Sequence, residues 1–206
     1  MKAFDRLLAL REDNLQTQVL MDALRPRFDR LAERHTNGAA PRAVSAFNLF
    51  QTPVEIALEV AHLADVRPGM TVLEPSAGLG RLLDALPQGL KVTAVEVAKE
   101  CAGELYQQDR PGVTILQRDF LNLTPGEVGL FDRVVMNPPF HMRADIRHIL
   151  HARTFLRPGG RLVAICMDTH HRRANLSEFA WHSLPARAFR REGTRVDTAI
   201  VTFSQP

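Results

Sequence analysis

The amino-terminal part of the chain has a helical pattern of apolar positions. Leu, Val, Met and Phe recur at three- and four-residue spacings from residue 3 to about residue 35, and Pro26 interrupts the pattern. This pattern predicts two helices, and we assign residues 1–45 to an amino-terminal helical extension. Another helix is predicted in "PVEIALEVAHLADV" (53–66), with Pro53 in its first turn and Thr52 as its N-cap.

From residue 70 the pattern changes to short apolar runs separated by stretches long enough for crossover helices, as in a parallel α/β sheet. The predicted strands are "MTVLEP" (70–75), "LKVTAVEV" (90–97), "VTILQRD" (113–119), "FDRVVMN" (131–137) and "GRLVAICM" (160–167). Two β-rich runs about a Gly-containing turn follow in "ARAFRREGTRVDTAIVTF" (186–203). We expect a hairpin there that adds an antiparallel strand, and residues 46–206 to form one domain.

Composition indicates an ordinary globular protein. The chain has 206 residues, of which 45% are hydrophobic and 24% charged. Cys101 and Cys166 have apolar neighbours and no metal-like or redox-like spacing, which favours buried thiols in a reducing compartment. No apolar run reaches the roughly 20 residues of a membrane span, and acids and arginines come too early for a secretory signal. We therefore expect a cytoplasmic protein without a membrane partner.

The positive charge is concentrated in the last third of the chain. Residues 141–206 contain eleven Arg against five Asp and Glu, a balance of +6, whereas the whole chain carries +3. Six of the eight histidines also lie there. A solvated basic face and a surface for a phosphate backbone both fit this distribution. For the second, we expect phosphate contacts from Arg143, Arg147, Arg172 and Arg173.

The predicted strands end in residues suited to ligand binding, and open α/β sheets bind ligands at that edge. After the first strand, Gly78 and Gly80 allow a sharp turn, but Leu83 stands where a dinucleotide fingerprint has its third glycine. Glu74 could accept hydrogen bonds from an ammonium group, and Glu96 from two ribose hydroxyls. This favours a positively charged nucleoside over a pyrophosphate.

The third and fourth predicted strands add further candidates. Asp119 and Phe120 follow the third strand, where a carboxylate could accept from an adenine amino group and a ring could contact the base. Each residue alone also fits a structural role. After the fourth strand, "NPPF" (137–140) must be extended and stiff, because two prolines cannot donate to a sheet ladder and force the preceding residue out of helical geometry.

These motifs resemble the class I S-adenosylmethionine-dependent methyltransferases of the amino-methylating type. The resemblance covers most of residues 47–203 and depends on "FNLFQTP", "VLEPSAGLG", "AVEV", "RDF" and "VVMNPPF", in that order. It is strongest with small bacterial and phage N6-adenine methyltransferase-like proteins, and it implies a Rossmann-like sheet. It also implies binding residues for S-adenosylmethionine, which are Phe50, Gln51, Thr52, Glu74, Ser76, Gly78, Gly80, Glu96, Asp119 and Phe120.

The same resemblance gives "NPPF" a catalytic role. An exocyclic amino nitrogen is a poor nucleophile because its lone pair is delocalised, so an enzyme must aim acceptors at its two hydrogens. Asn137 Oδ1 and the Pro138 carbonyl are such acceptors, Pro139 stiffens the segment, and Phe140 offers a ring for stacking. Methyl transfer then requires placement and orientation, without a metal or a covalent nucleophile. We expect no metal site, since no carboxylate or thiolate stands at ligand spacing from the histidines.

The substrate is less closely defined. Phe at the last position of "NPPF" and the basic last third favour a nucleic-acid base, and we expect adenine N6 in DNA. There is no room for a large target-recognition region between Asp119 and Asn137 or after Phe140, and "NPPFH" is also similar to ribosomal RNA guanine-N2 methyltransferases. RNA base methylation, protein glutamine methylation and a non-catalytic nucleic-acid-binding relative therefore remain open, as does a recognition partner or a homodimer.

Overall fold

The computed structural model describes residues 51–186, 188–189 and 196–206. The predicted helices of residues 3–35, Phe50 and part of the predicted hairpin lie outside these ranges. The division of the chain into residues 1–45 and 46–206 therefore stays a prediction.

Helices and strands alternate through most of the described part. The helices are α1 (Val54–Ala64), α2 (Arg81–Ala85), α3 (Lys99–Gln107), α4 (Pro125–Val128), α5 (Ala144–Arg153) and α6 (His170–Asn175). The strands are β1 (Thr71–Glu74), β2 (Lys91–Glu96), β3 (Val113–Gln117), β4 (Phe131–Met136), β5 (Leu156–Met167), β6 (Ala180–Ser183) and β7 (Thr198–Ser204). In these ranges, no helix combines the length and the apolar character that crossing a membrane requires.

The strands form one sheet in the order β3-β2-β1-β4-β5-β7-β6. Neighbouring strands from β3 to β5 are parallel, whereas β7 is antiparallel to both β5 and β6. The α/β fold, with a mostly parallel sheet and an antiparallel carboxyl-terminal strand, is therefore confirmed. The strand order reverses between β1 and β4, since β2 and β3 lie on one side of β1 and β5 lies beyond β4.

The centre of the sheet is fully apolar because helices cover it. Val134, Val135 and Met136 of β4 are completely buried, and so is every residue of β5 from Leu162 to Cys166. Strands buried on both faces read as continuous hydrophobic runs, which explains why "VVM" and "LVAIC" do not alternate with polar residues. The helix α1 packs against β4 and β5, α5 packs against β5, and α3 packs against β2 and β3.

Two boundaries differ from the prediction. The strand that directly precedes β7 in the chain and pairs with it is β6, at Ala180–Ser183, and it lies before the run predicted to begin at residue 186. Strand β5 begins at Leu156 instead of Gly160, and its pairing with β4 shifts register between Phe131 and Arg133. The irregular pairing brings "RPG" into the strand, which a search for continuous apolar runs excludes.

Candidate active site

The carboxyl ends of β1 and β4 border a cavity of about 210 Å³. These two strands flank the point where strand order reverses, which is where ligands bind in open α/β sheets. Twelve of the fourteen site residues predicted from the sequence line this cavity. They are Gln51, Thr52, Glu74, Ser76, Gly78, Glu96, Asp119, Phe120, Asn137, Pro138, Pro139 and Phe140.

The carboxylate of Glu96 holds the loop that follows β1. Its Oε2 accepts a hydrogen bond from Gly78 N at 2.7 Å, and its Oε1 accepts one from Ala98 N at 2.7 Å. Gly78 has a φ of +54°, a conformation that favours glycine. A carboxylate offers about four acceptor positions, so Glu96 can still accept hydrogen bonds from a ligand after fixing this backbone.

Gly80 has a structural role and does not line the cavity. It precedes α2 with a φ of +85°, and a Cβ there would lie 2.9 Å from Leu105 Cδ2 and 3.2 Å from Arg110 Nη2. Arg110 is held in place by an ion pair with Asp84 at 2.7 Å. Gly80 therefore shapes the predicted cofactor loop through backbone conformation and packing.

Glu74 is a buried carboxyl group without a hydrogen-bond partner among the described residues. Its side chain is 1% exposed, and its Oε2 is a buried acceptor without a donor. Burial raises the pKa of Glu74 well above its ordinary value, and Asp84 and Glu96 add to the effect while Arg110 opposes it. A cationic group in the cavity would satisfy this carboxyl.

Arg81, which the sequence analysis missed, lies on the cavity wall next to the loop. Its Nη2 donates to Gln51 Oε1 at 2.9 Å, and both residues line the cavity. Arg81 is the residue directly after Gly80 in "GLGR". A cationic residue directly after the second glycine could have been recognised from the sequence, but the spacing of the glycines alone does not indicate it.

Asp119 and Phe120, which were predicted to contact a base, also make contacts within the protein. Asp119 is exposed, and its Oδ1 accepts from Leu121 N at 3.0 Å, so it caps a short 3₁₀ turn. Phe120 is 2% exposed, with ring centroids 4.8 Å from His151 and 5.2 Å from Phe155. Both residues still line the cavity, so their predicted role toward a base is compatible with these structural roles.

His148 is a second cavity residue that the sequence analysis did not include in the site. Burial lowers the pKa of His148 to about 4, although the nearby Asp119 acts in the opposite direction. The imidazole is therefore neutral at physiological pH. Among the described residues, no group of three or more His, Cys, Asp or Glu side chains is placed to hold a metal ion.

The side chain of Asn137 is oriented by Thr52, which lies 85 residues earlier in the sequence. Asn137 Nδ2 donates to Thr52 Oγ1 at 3.0 Å, and Thr52 is buried. The prediction that Thr52 caps α1 is wrong, because Pro53 is the N-cap residue and no side chain caps that helix. With Nδ2 committed to Thr52, Oδ1 is the acceptor end of the amide.

The segment from β1 to β6 matches the sequence pattern of a known protein family. Residues 71–182, or 112 of the 206 residues, match the sequence pattern described as the methyltransferase small domain. The chain belongs to this methyltransferase family. Its cofactor is S-adenosylmethionine, the methyl donor of these enzymes. No curated protein matches the sequence of this methyltransferase.

Solved structures with the same fold include TrmN from Thermus thermophilus, at 22% identity and a TM-score of 0.60 over 74% of this chain and 49% of TrmN. A proposed RNA methyltransferase from Pyrococcus horikoshii matches over 87% of this chain and 98% of its own, at 22% identity and a TM-score of 0.60. A modification subunit of a proposed type I restriction enzyme from Vibrio vulnificus matches over 87% and 48%, at 16% identity and a TM-score of 0.61. This methyltransferase thus spans about half the length of the first and third.

The arginines of this methyltransferase differ in their availability. Arg172 is 8% exposed and donates from Nε to Asp145 Oδ2 at 2.7 Å, so the prediction that it contacts phosphate is wrong. Arg173 donates to both carboxylate oxygens of Asp168 at 2.7 and 2.8 Å. Arg143 and Arg147 are exposed and have no hydrogen bond or ion pair from their side chains to the described residues.

Proposed function

We propose that this protein transfers a methyl group to an exocyclic amino nitrogen of a nucleic-acid base, with adenine N6 in DNA as the favoured target. One observation carries the proposal: Asn137, Pro138, Pro139 and Phe140 line the same cavity as Glu74 and Glu96. An amide acceptor beside two carboxyl groups suits the neutral amino group of a base on one side and a cationic cofactor on the other.

S-adenosylmethionine supplies an electrophilic methyl group when it is bound. In our proposal, Glu74 accepts from its ammonium group and Glu96 accepts from its ribose hydroxyls through the acceptor positions not used by Gly78 and Ala98. Asp119 and Phe120 contact its adenine. The fit is supported by Glu74, since a buried carboxyl without a partner costs free energy that a cationic ligand removes.

On the acceptor side, Asn137 Oδ1 and the Pro138 carbonyl would receive the two amino hydrogens of the substrate. The Pro138 carbonyl accepts no hydrogen bond from the described residues. Thr52 holds the Asn137 amide in one orientation, which lowers the entropy lost when the substrate binds. Phe140 is half-buried and presents a ring against which a planar base can stack.

The segment after Phe140 is the surface that we assign to the nucleic acid. Arg143 is the residue directly before α5, and Arg147 is the fourth residue of that helix, so both guanidinium groups are carried by the segment that follows the cavity residue Phe140. Between Phe140 and this helix, Met142 is 87% exposed. Two guanidinium groups that have no partner among the described residues, and that follow the cavity residues Phe140 and His141 in sequence, are suited to phosphate contacts that place a base at Asn137.

The test is incubation with methyl-labelled S-adenosylmethionine and either DNA or RNA, followed by mass spectrometry of the nucleosides. We expect labelled N6-methyladenine from DNA, and no label with Asn137→Ala, while calorimetry shows unchanged cofactor binding. Asn175→Ala is a matched control, because within the described ranges this exposed amide makes hydrogen bonds only to His171 on its own helix. Equal labelling by Asn137→Ala would contradict amino-group methylation.

RNA is the second candidate substrate. The neighbour from Pyrococcus horikoshii, a proposed RNA methyltransferase, is matched over 98% of its length, and this supports RNA as the alternative to DNA. Label in RNA nucleosides alone would replace DNA with RNA in the proposal. Label in neither nucleic acid would favour protein glutamine as substrate, and cofactor binding without any transfer would favour a non-catalytic nucleic-acid-binding role. A cytoplasmic location stays a prediction.

A further inference from the structure

An acidic and a basic side chain flank the loop between β1 and α2. Glu74 ends β1, Arg81 begins α2, and both line the cavity. Glu74 has no hydrogen-bond partner among the described residues, and Arg81 has no carboxylate partner there. The cavity wall therefore provides a carboxyl group and a guanidinium group, seven positions apart in sequence, that have no counter-ion among the described residues.

Arg81 differs from the arginines near it. Arg110 forms an ion pair with Asp84 at 2.7 Å, and Arg118, which also lines the cavity, forms one with Glu127 at 2.8 Å. The guanidinium of Arg81 makes a single described hydrogen bond, to the neutral amide of Gln51. Gln51 restricts the guanidinium without neutralising it, and most of its five N–H groups remain for a ligand.

A half-buried guanidinium with free donors binds a carboxylate in a two-pronged geometry. The methionyl end of S-adenosylmethionine carries an ammonium group and a carboxylate on the same carbon atom, and both cavity groups are needed to match it. We propose that Arg81, oriented by Gln51, binds this carboxylate and makes the protein selective for a carboxylate-bearing cofactor. The inference depends on the cofactor placement proposed above, and it does not depend on the substrate.

The test compares two ligands that differ by the carboxylate alone, S-adenosylmethionine and its decarboxylated form, by calorimetry with the full-length protein. We expect the wild-type protein to bind S-adenosylmethionine at least ten-fold more tightly than the decarboxylated form. Arg81→Met should lose this preference by weakening the first ligand alone, and Gln51→Leu should reduce it partly. Arg118→Met, which removes a cavity arginine that already has a carboxylate partner, should keep it.

Two other outcomes overturn the inference. An unchanged preference in Arg81→Met would mean that the carboxylate binds elsewhere. An equal loss of both ligands would mean that Arg81 supports the structure of the loop. A folding defect in Arg81→Met could also weaken both ligands equally, so Arg81→Lys is measured as well. Lysine keeps the positive charge. The Arg81→Lys variant should retain part of the preference for S-adenosylmethionine only if the side chain at position 81 contacts the carboxylate. Failure of the wild-type protein to bind either ligand would instead contradict the cofactor placement itself.

Discussion

At the residue scale, Glu74 shows how a binding group can oppose folding. Its carboxyl is buried without a donor, and this burial raises its pKa well above 4.5. The folded protein therefore retains a proton that the unfolded chain releases as pH rises above that value. Stability decreases with pH over this interval, up to the folded-state pKa, because the unfolded state binds fewer protons.

Glu74→Gln should remove this pH-dependent loss. We expect the variant and the wild-type protein to have similar free energies of unfolding at about pH 3, well below the ordinary pKa of 4.5, where both side chains are neutral in both states. At pH 8 the variant should be more stable, by about 1–3 kcal/mol, yet bind S-adenosylmethionine more weakly. Urea denaturation at the two pH values gives the difference. Parallel stability profiles would show that Glu74 is already solvated or paired.

Thr52→Val should impair methyl transfer with little effect on cofactor affinity. Valine has nearly the same shape as threonine but cannot accept the hydrogen bond from Asn137 Nδ2. Loss of one such bond costs about 1 kcal/mol, so we expect turnover to fall roughly five-fold through a less ordered amide. Thr154→Val is a matched control, because that hydroxyl donates to His151 O on the surface. A weaker affinity for the cofactor would instead place Thr52 at the cofactor.

Site residues could be predicted from the sequence where a residue with suitable chemistry stands at the end of a predicted strand. Glu74 and Glu96 could be predicted because each is an acid at the end of a predicted strand. The contact of Thr52 with Asn137 joins positions 85 residues apart, and no local pattern encodes it. His148 was missed because the sequence shows a histidine among arginines, whereas its burial, which makes it neutral, depends on how α5 packs.

At the element scale, a buried ion pair ties α5 and α6 to the catalytic segment. Asp145 near the start of α5 is fully buried and accepts from Arg172 Nε in α6 at 2.7 Å. Arg172 Nη2 also donates to the Phe140 carbonyl at 3.3 Å. The pair therefore contributes to the position of "NPPF", which was not foreseen because the arginine appeared to be part of a basic surface.

Asp145→Asn should be strongly destabilising. Removing one partner leaves the Arg172 charge buried without a counter-ion, which costs about 3–5 kcal/mol. Asp168→Asn breaks the more exposed pair with Arg173 and should cost much less, because solvent screens that pair. Denaturant titration of both variants provides the comparison. Similar losses would mean that water reaches Arg172 when its partner is removed.

The strands that were easiest to predict are the ones that are buried on both faces. Apolar runs such as "VVM" in β4 leave few alternatives to a central parallel strand. Strand β6 has the sequence "AWHS" and is mostly exposed at the edge of the sheet, so it has no comparable apolar pattern. Its existence depends on pairing with β7, which only the three-dimensional fold supplies.

At the scale of the whole molecule, net charge overstates the surface that is available to nucleic acid. Seven of the eleven arginines between residues 141 and 206 are in the described ranges, and five of these already contact carboxylates or backbone carbonyls. Arg143 and Arg147 remain. A count of charges from sequence cannot separate the two groups, because the partners come from other elements.

Replacing Arg143 and Arg147 together with alanine should weaken nucleic-acid binding and flatten its salt dependence. Each lost phosphate contact changes the slope of log affinity against log salt by about 0.9 for duplex DNA, or about 0.7 for a single strand. The double variant should therefore differ by about 1.8 or about 1.4, with cofactor affinity unchanged. Fluorescence anisotropy across a salt series gives these slopes.

The control for this experiment is the double variant Arg67→Ala and Arg157→Ala. Both arginines are exposed, but Arg67 precedes β1 and Arg157 is the second residue of β5, so both lie toward the opposite edge of the sheet. Its slope should equal that of the wild-type protein. If both double variants changed the slope equally, binding would be a diffuse effect of net charge.

The place of β7 between β5 and β6 has a consequence for synthesis on the ribosome. The chain order is β5, β6, β7, whereas β7 separates the other two in the sheet. Until residues 198–204 leave the ribosome, the apolar strand β5 has an open edge and β6 has no partner. At roughly 5–20 residues per second, this edge is exposed to other nascent chains for seconds. A pause in translation that holds β7 inside the ribosome after β5 has emerged should therefore promote aggregation.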